Sequence, residues 1–112
     1  MKRLSLELNL SEIKLSEEDS KKESAVLIFE VIKNMIIGWG YQCDKRGLNE
    51  EDRRKFYKIS DAFDDAIKNG ANHIDLDDDW IGFIRKCKRE IYFQPNELVK
   101  RIEFLIDEIK DR

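Results

Sequence analysis

The most apolar stretch of the chain is Ala25 to Trp39, AVLIFEVIKNMIIGW, interrupted only by Glu30, Lys33, Asn34 and Gly38. On a helix Glu30, Lys33 and Asn34 fall three and four apart and gather into one narrow polar stripe, so the rest of the circumference needs cover. A bilayer span requires about 20 predominantly apolar residues. This run is shorter and carries charge, so the spacing predicts a core helix and no membrane partner. Ser16-Glu-Glu-Asp19 has the form of a capping box, which puts the start of the helix near Glu17, and Gly38 and Gly40 are expected to end it. A loop should follow from Trp39 to Leu48.

Upstream, Leu4, Leu6, Leu8 and Leu10 alternate with Ser5, Glu7 and Asn9, the period of a half-buried strand. Ile13 and Leu15 break that parity, which calls for a bulge or bend at Ser11-Glu12. Downstream, Asn49 reads as an N-cap before Glu50, Glu51 and Asp52, and Phe56, Ile59, Phe63, Ala66 and Ile67 recur at helical spacing until Gly70. Glu50 with Arg54, Glu51 with Lys55 and Asp64 with Lys68 mark the water-facing side of that helix.

His73 to Leu76 alternates briefly between turn residues and an acidic cluster and reads as a short strand. Two strands alone are marginal in water, so it should pair with the leucine strand or with a second subunit. Asp77 or Asp78 then caps a helix with Trp80, Ile84, Cys87 and Ile91 on one face, widened by Ile81 and Phe83. Gln94-Pro95 opens a last helix with proline at its first position. Its seam of Leu98, Ile102, Leu105 and Ile109, flanked by Val99 and Ile106, is spaced like a heptad but is too short for a free coiled coil. That helix should lie on the core or on its counterpart in a dimer.

The predicted fold is therefore α+β and mainly helical, in the order β-α-α-β-α-α, with a minimal two-stranded sheet around one buried central helix. At 112 residues one domain is expected, 1–112. Charged residues are 40% and hydrophobic ones 41%, a strong core inside a heavily solvated surface. The net charge of −3 gives no global attraction to nucleic acid or an anionic membrane. Cys43 and Cys87 match neither a metal nor a disulfide spacing, and the alternating start MKRLSLELNLSE has no export-signal form, so a cytoplasmic location is expected.

Asp75, Asp77 and Asp79 spell D-x-D-x-D, the opening of a calcium loop. Such loops need glycine at the sixth position and glutamate at the twelfth, where this chain has Trp80 and Lys86, so acids at a helix start are the simpler explanation. No metal or cofactor is expected. Arg53, Arg54, Lys55 and Lys58, with Arg85, Lys86, Lys88 and Arg89, would make a nucleic-acid surface if their helices lay side by side, with Tyr57 and Tyr92 as stacking platforms. Interleaved acids, and the preference of cations for helix ends, argue for the structural reading. His73 would need a thiol within reach to act as a base, and nothing in the spacing arranges that. Trp39, Tyr41, Trp80, Tyr92 and Phe93 sit near element ends, where exposed aromatics together would mark a protein-binding surface. Leu4, Leu6, Leu8, Trp39, Tyr41 and Trp80 are its candidates.

RRKFYKISDAFDDAI at 53 to 67, IDLDDDW at 74 to 80 and FQP at 93 to 95 before a last helix resemble, in element order, small accessory proteins encoded in phage and prophage genomes. The resemblance covers about the last 60 residues, leaves out the leucine strand and carries no catalytic residues. It implies a particle-assembly or regulatory partner. The expected function is a non-enzymatic interaction or assembly protein acting as a homo-oligomer, most simply a homodimer. A nucleic-acid-binding regulator is second, and a metal-using enzyme built on the Asp75 cluster is third.

Overall fold

In the computed structural model, which describes residues 1–43 and 46–109, the alternation at the N-terminus becomes strand β1, Lys2–Ser5. It pairs antiparallel with β2, His73–Leu76, in the register Lys2↔Leu76 and Leu4↔Ile74. The Leu6 amide prolongs the ladder onto the Asn72 carbonyl at 2.9 Å. Leu4, Leu6, Ile74 and Leu76 are buried, while Arg3 and Asp75 face each other 3.6 Å apart on the outer side. The two strands thus complete each other within one chain. After Leu10 the parity change is absorbed by a short 3₁₀ turn, Leu10–Glu12, which returns Ile13 to the core.

Among the described residues four α-helices cover the sheet and one another: α1 Ser24–Cys43, α2 Glu50–Lys68, α3 Asp78–Glu90 and α4 Glu97–Asp107. The order β-α-α-β-α-α is the one expected. Ala25, Leu27, Ile28, Ile32, Met35, Ile36 and Trp39 of α1 are buried among residues of every other element. Phe29 stacks on Phe63 of α2 at 5.0 Å, Trp39 meets Phe83 of α3 edge-on at 5.9 Å, and Ile102 and Ile106 of α4 close the remaining side.

Both expected ends of α1 are corrected. Ser16 Oγ does accept the Asp19 amide at 3.1 Å, but the turn it caps is only the 3₁₀ segment Asp19–Lys21. Lys22 is extended there, with φ −101° and ψ 149°. Its ammonium folds back onto Glu30 at 3.0 Å and Asp19 at 3.5 Å, so the lead lies against α1 instead of continuing it. At the other end Gly38 and Gly40 sit inside the helix, where their missing Cβ atoms admit Ile91 and the Gly47-Leu48 backbone. The expected loop thus shrinks, and its positions 44 and 45 lie outside the described residues. At 20 residues α1 reaches the length and composition of a bilayer span, with half of that window inside the fold.

Elsewhere the caps follow the sequence. Asn49 Oδ1 accepts the Asp52 amide and Asp77 Oδ1 the Asp79 amide. Helix α2 ends with Gly70 at φ +65°, the Ala71 amide on the Ala66 carbonyl and the Gly70 amide on the Ile67 carbonyl, the double bond of a Schellman motif. Pro95 does not start α4. Asn96 takes the capping position, its Oδ1 accepting the Val99 amide at 2.8 Å, and the proline falls just before it.

Candidate interaction surface

The polar stripe of α1 continues in an unexpected way: three and seven residues after Asn34 come Ile37 and Tyr41, which are 39% and 66% exposed. At 3.6 residues per turn, positions 34 and 41 are only about 20° apart, so these side chains share one open strip. On one side of it α2 supplies Arg53, Phe56 and Tyr57, and the preceding turn supplies Leu48. Together with Ile37 and Tyr41 they line a groove of about 270 Å³. Phe56 and Tyr57 stack at 6.1 Å, and the Arg53 guanidinium donates to the Leu48 carbonyl at 2.9 Å.

On the other side of the strip the α3–α4 linker forms a second, smaller groove of about 130 Å³ with Val31, Asn34, Met35, Ile91, Phe93 and Val99. Gln42 pins this linker to α1: its Nε2 donates to the Tyr92 carbonyl at 2.8 Å and its Oε1 accepts the Tyr92 amide at 2.7 Å. The tyrosine ring is left 86% exposed on a fixed backbone. Both grooves fall below the roughly 300–1,000 Å³ of small-molecule sites, which suits sockets for single side chains better than a cofactor pocket.

Of the six residues expected to meet a partner, Tyr41 is in this surface. Leu4 and Leu6 are 1% and 2% exposed and Trp39 4%, so they are corrections: each faces its own core. The Trp39 indole N–H is enclosed there without a hydrogen-bond partner. Leu8 and Trp80 are half-buried against the same core. Ile37, Leu48 and Phe56 were not foreseen, although an isoleucine in the register of a polar stripe is a readable signal.

Several of the basic residues do other work. Arg85 is turned inward, its guanidinium donating to the Ile106 and Ile109 carbonyls at 3.1 and 3.2 Å at the end of α4, so its place in a nucleic-acid surface is a correction. Arg54 pairs with Glu50 at 2.7 Å and the Lys86 ammonium lies 4.9 Å over the Trp39 ring. Among the described residues Lys58 and Arg89 have no such contact. The aspartates are likewise dispersed: Asp75 faces Arg3, Asp77 caps α3, and Asp79 is exposed in the first turn. Among the described residues no three His, Cys, Asp or Glu side chains converge as metal ligands.

His73 Nδ1 lies 2.9 Å from Asn72 Oδ1. Cys43 is exposed, its Sγ 3.8 Å from the Glu90 carbonyl, and Cys87 is fully enclosed. Burial pushes the Cys87 thiol up to about 12, with the Asp52 charge adding in the same direction. Both thiols are free, and among the described residues no hydrogen bond joins either to His73. No protein-family model, curated protein or solved structure matches the chain.

Proposed function

We propose that this chain is a non-enzymatic interaction protein that works as a homo-oligomer. One observation carries the reading: of the seven large apolar side chains exposed among the described residues, five (Ile37, Tyr41, Tyr57, Tyr92 and Phe93) surround the C-terminal half of α1. Aromatic residues on a fixed backbone, next to an arginine, are the composition of binding hot spots. Concentrating them on one face costs solubility unless the face is covered. A cytoplasmic compartment goes with the proposal, supported by two free cysteines. So does a part in the assembly or regulation of a phage-like particle, supported by the residue order at 53 to 67, 74 to 80 and 93 to 95.

Light scattering over a hundredfold range of concentration tests it. A mass rising to a multiple of 13.4 kDa is expected, and a strict monomer throughout removes the homo-oligomer. A second reading, single-stranded nucleic acid, is favoured by Arg53 lining the same groove as Tyr41 and Tyr57, a cation beside stacking platforms. Labelled single strands titrated at low salt decide it: binding that falls steeply as salt rises would put this reading first.

A further inference from the structure

We infer that the partner on this face is a second copy of the chain, bound about a twofold axis, with Tyr92 of each copy seated in the Ile37–Tyr41–Tyr57 groove of the other. The inference rests on the homo-oligomer reading and adds its geometry. Tyr92 is the most exposed large apolar side chain among the described residues, yet its backbone is gripped in both directions by Gln42. A ring carried on a pinned backbone has only its own two side-chain torsions left to order on binding, which favours it as an anchor. The groove across the strip is too small for a cofactor and of the right order for one aromatic ring, with Tyr57 and Phe56 as its wall.

Knob and groove lie on opposite sides of the same strip of α1, so the chain cannot fill its own groove with Tyr92. A twofold axis running along the strip, parallel to α1, places each knob over the other copy's groove, the reciprocal pairing of an isologous dimer. Residues near such an axis meet themselves. Here they are the exposed Asn34, Ile37 and Tyr41, none of them charged, so self-contact brings no like charges together. The area approaches what a stable pair needs. Tyr41, Tyr57, Tyr92 and Phe93 are 66%, 60%, 86% and 39% exposed. At the 150–250 Å² that such side chains bury, this leaves roughly 500 Å² of aromatic surface. Ile37 and the half-buried Leu48, Phe56 and Val99 extend it towards the roughly 800 Å² per partner of a stable interface.

Sedimentation equilibrium of the full chain, Tyr92→Ala, Tyr57→Ala and Phe104→Ala tests the pairing, and unchanged melting temperatures establish that the exposed substitutions leave the fold intact. Dimerisation by the full chain is expected, weakened at least about thirtyfold by Tyr92→Ala and by Tyr57→Ala and unaltered by Phe104→Ala on α4. Mixing the two weakened variants should restore much of the association, because the mixed pair keeps one intact knob in one intact groove. Dimers that ignore Tyr92→Ala, or weak variants that do not complement each other, overturn the pairing while leaving the homo-oligomer reading in place. A full chain that stays monomeric removes both.

Discussion

Gly38 lies directly beneath Ile91: a Cβ at position 38 would stand 2.7 Å from Ile91 Cδ1. Two residues on, a Cβ at Gly40 would meet Leu48 Cδ2 at 2.9 Å, the Gly47 carbonyl carbon at 3.0 Å and the Leu48 amide nitrogen at 3.1 Å. The two obstacles differ in kind. One is the tip of a half-buried, flexible side chain, whereas the other includes backbone that also bonds Gly40, the Gly47 amide donating to the Gly40 carbonyl.

Alanine substitutions should therefore separate three cases. Gly82, in mid-α3 with nothing near its Cβ position, should gain about 0.5–1 kcal/mol as Gly82→Ala from helix propensity alone. For Gly38→Ala that gain and the displacement of Ile91 should nearly cancel, and adding Ile91→Val should recover stability. Gly40→Ala should cost about 1–3 kcal/mol, the range for overpacking against structure that cannot yield. Urea denaturation of the four variants gives the ranking, and a Gly40→Ala protein as stable as the parent would contradict the close approach.

These glycines also mark where the sequence stopped being legible. The helices, their order and most caps could be read because each depends on nearby residues: Asn49, Asp77 and Gly70 act within a turn of themselves. Gly38 and Gly40 look like helix stops by the same local logic, but their role is set by Ile91 and Leu48, which reach them only through the tertiary fold. The exposed aromatic face was hidden from the sequence for a related reason. Leucines 4 and 6 and Trp39 are as apolar as Ile37 and Tyr41, and only the pairing of β1 with β2 and the seating of α3 decide which of them water sees.

Arg85 stabilises the fold by holding the end of α4. Its guanidinium adds a charged donor to the Ile106 carbonyl, which the Ile109 amide reaches only at 3.4 Å, bonds the Ile109 carbonyl just past the helix, and sets positive charge at the negative pole of the dipole. Arg85→Gln should destabilise by about 1–3 kcal/mol, the range for hydrogen bonds from charged donors. Arg85→Lys should recover only part, since an ammonium lacks the guanidinium fork. Chemical denaturation measures both, and a neutral Arg85→Gln would show that water substitutes for the side chain.

Gln42 fixes the linker locally more than it stabilises the whole. Its two bonds to Tyr92 lie at the surface, so Gln42→Ala should cost about 1 kcal/mol or less globally. The Tyr92 amide, however, should exchange with deuterium at least about tenfold faster, because local opening now precedes global unfolding. Gln42→Glu should perturb it further, since a carboxylate cannot donate to the Tyr92 carbonyl and sets negative charge against it. Exchange at Tyr92 unaltered by either change would mean that Phe93 and its groove hold the linker without the clamp.

The two thiols should be distinguishable by chemistry alone. Cys43 is exposed, so an aromatic disulfide reagent should titrate one thiol in the native protein and two after denaturation. Cys87 also makes stability depend on alkaline pH. Its thiol ionises near the ordinary 9.0 in the unfolded chain but holds its proton to about 12 when folded, chiefly because of burial. Between those values the folded state binds more protons than the unfolded one, so stability falls as pH rises through that window and is unaffected by this group below it. Cys87→Ala removes the slope at the expense of about 1 kcal/mol of packing. Every other group is common to the two proteins, so the difference between their stability curves from pH 8 to 11 isolates the buried thiol. Parallel curves would place Cys87 in contact with water.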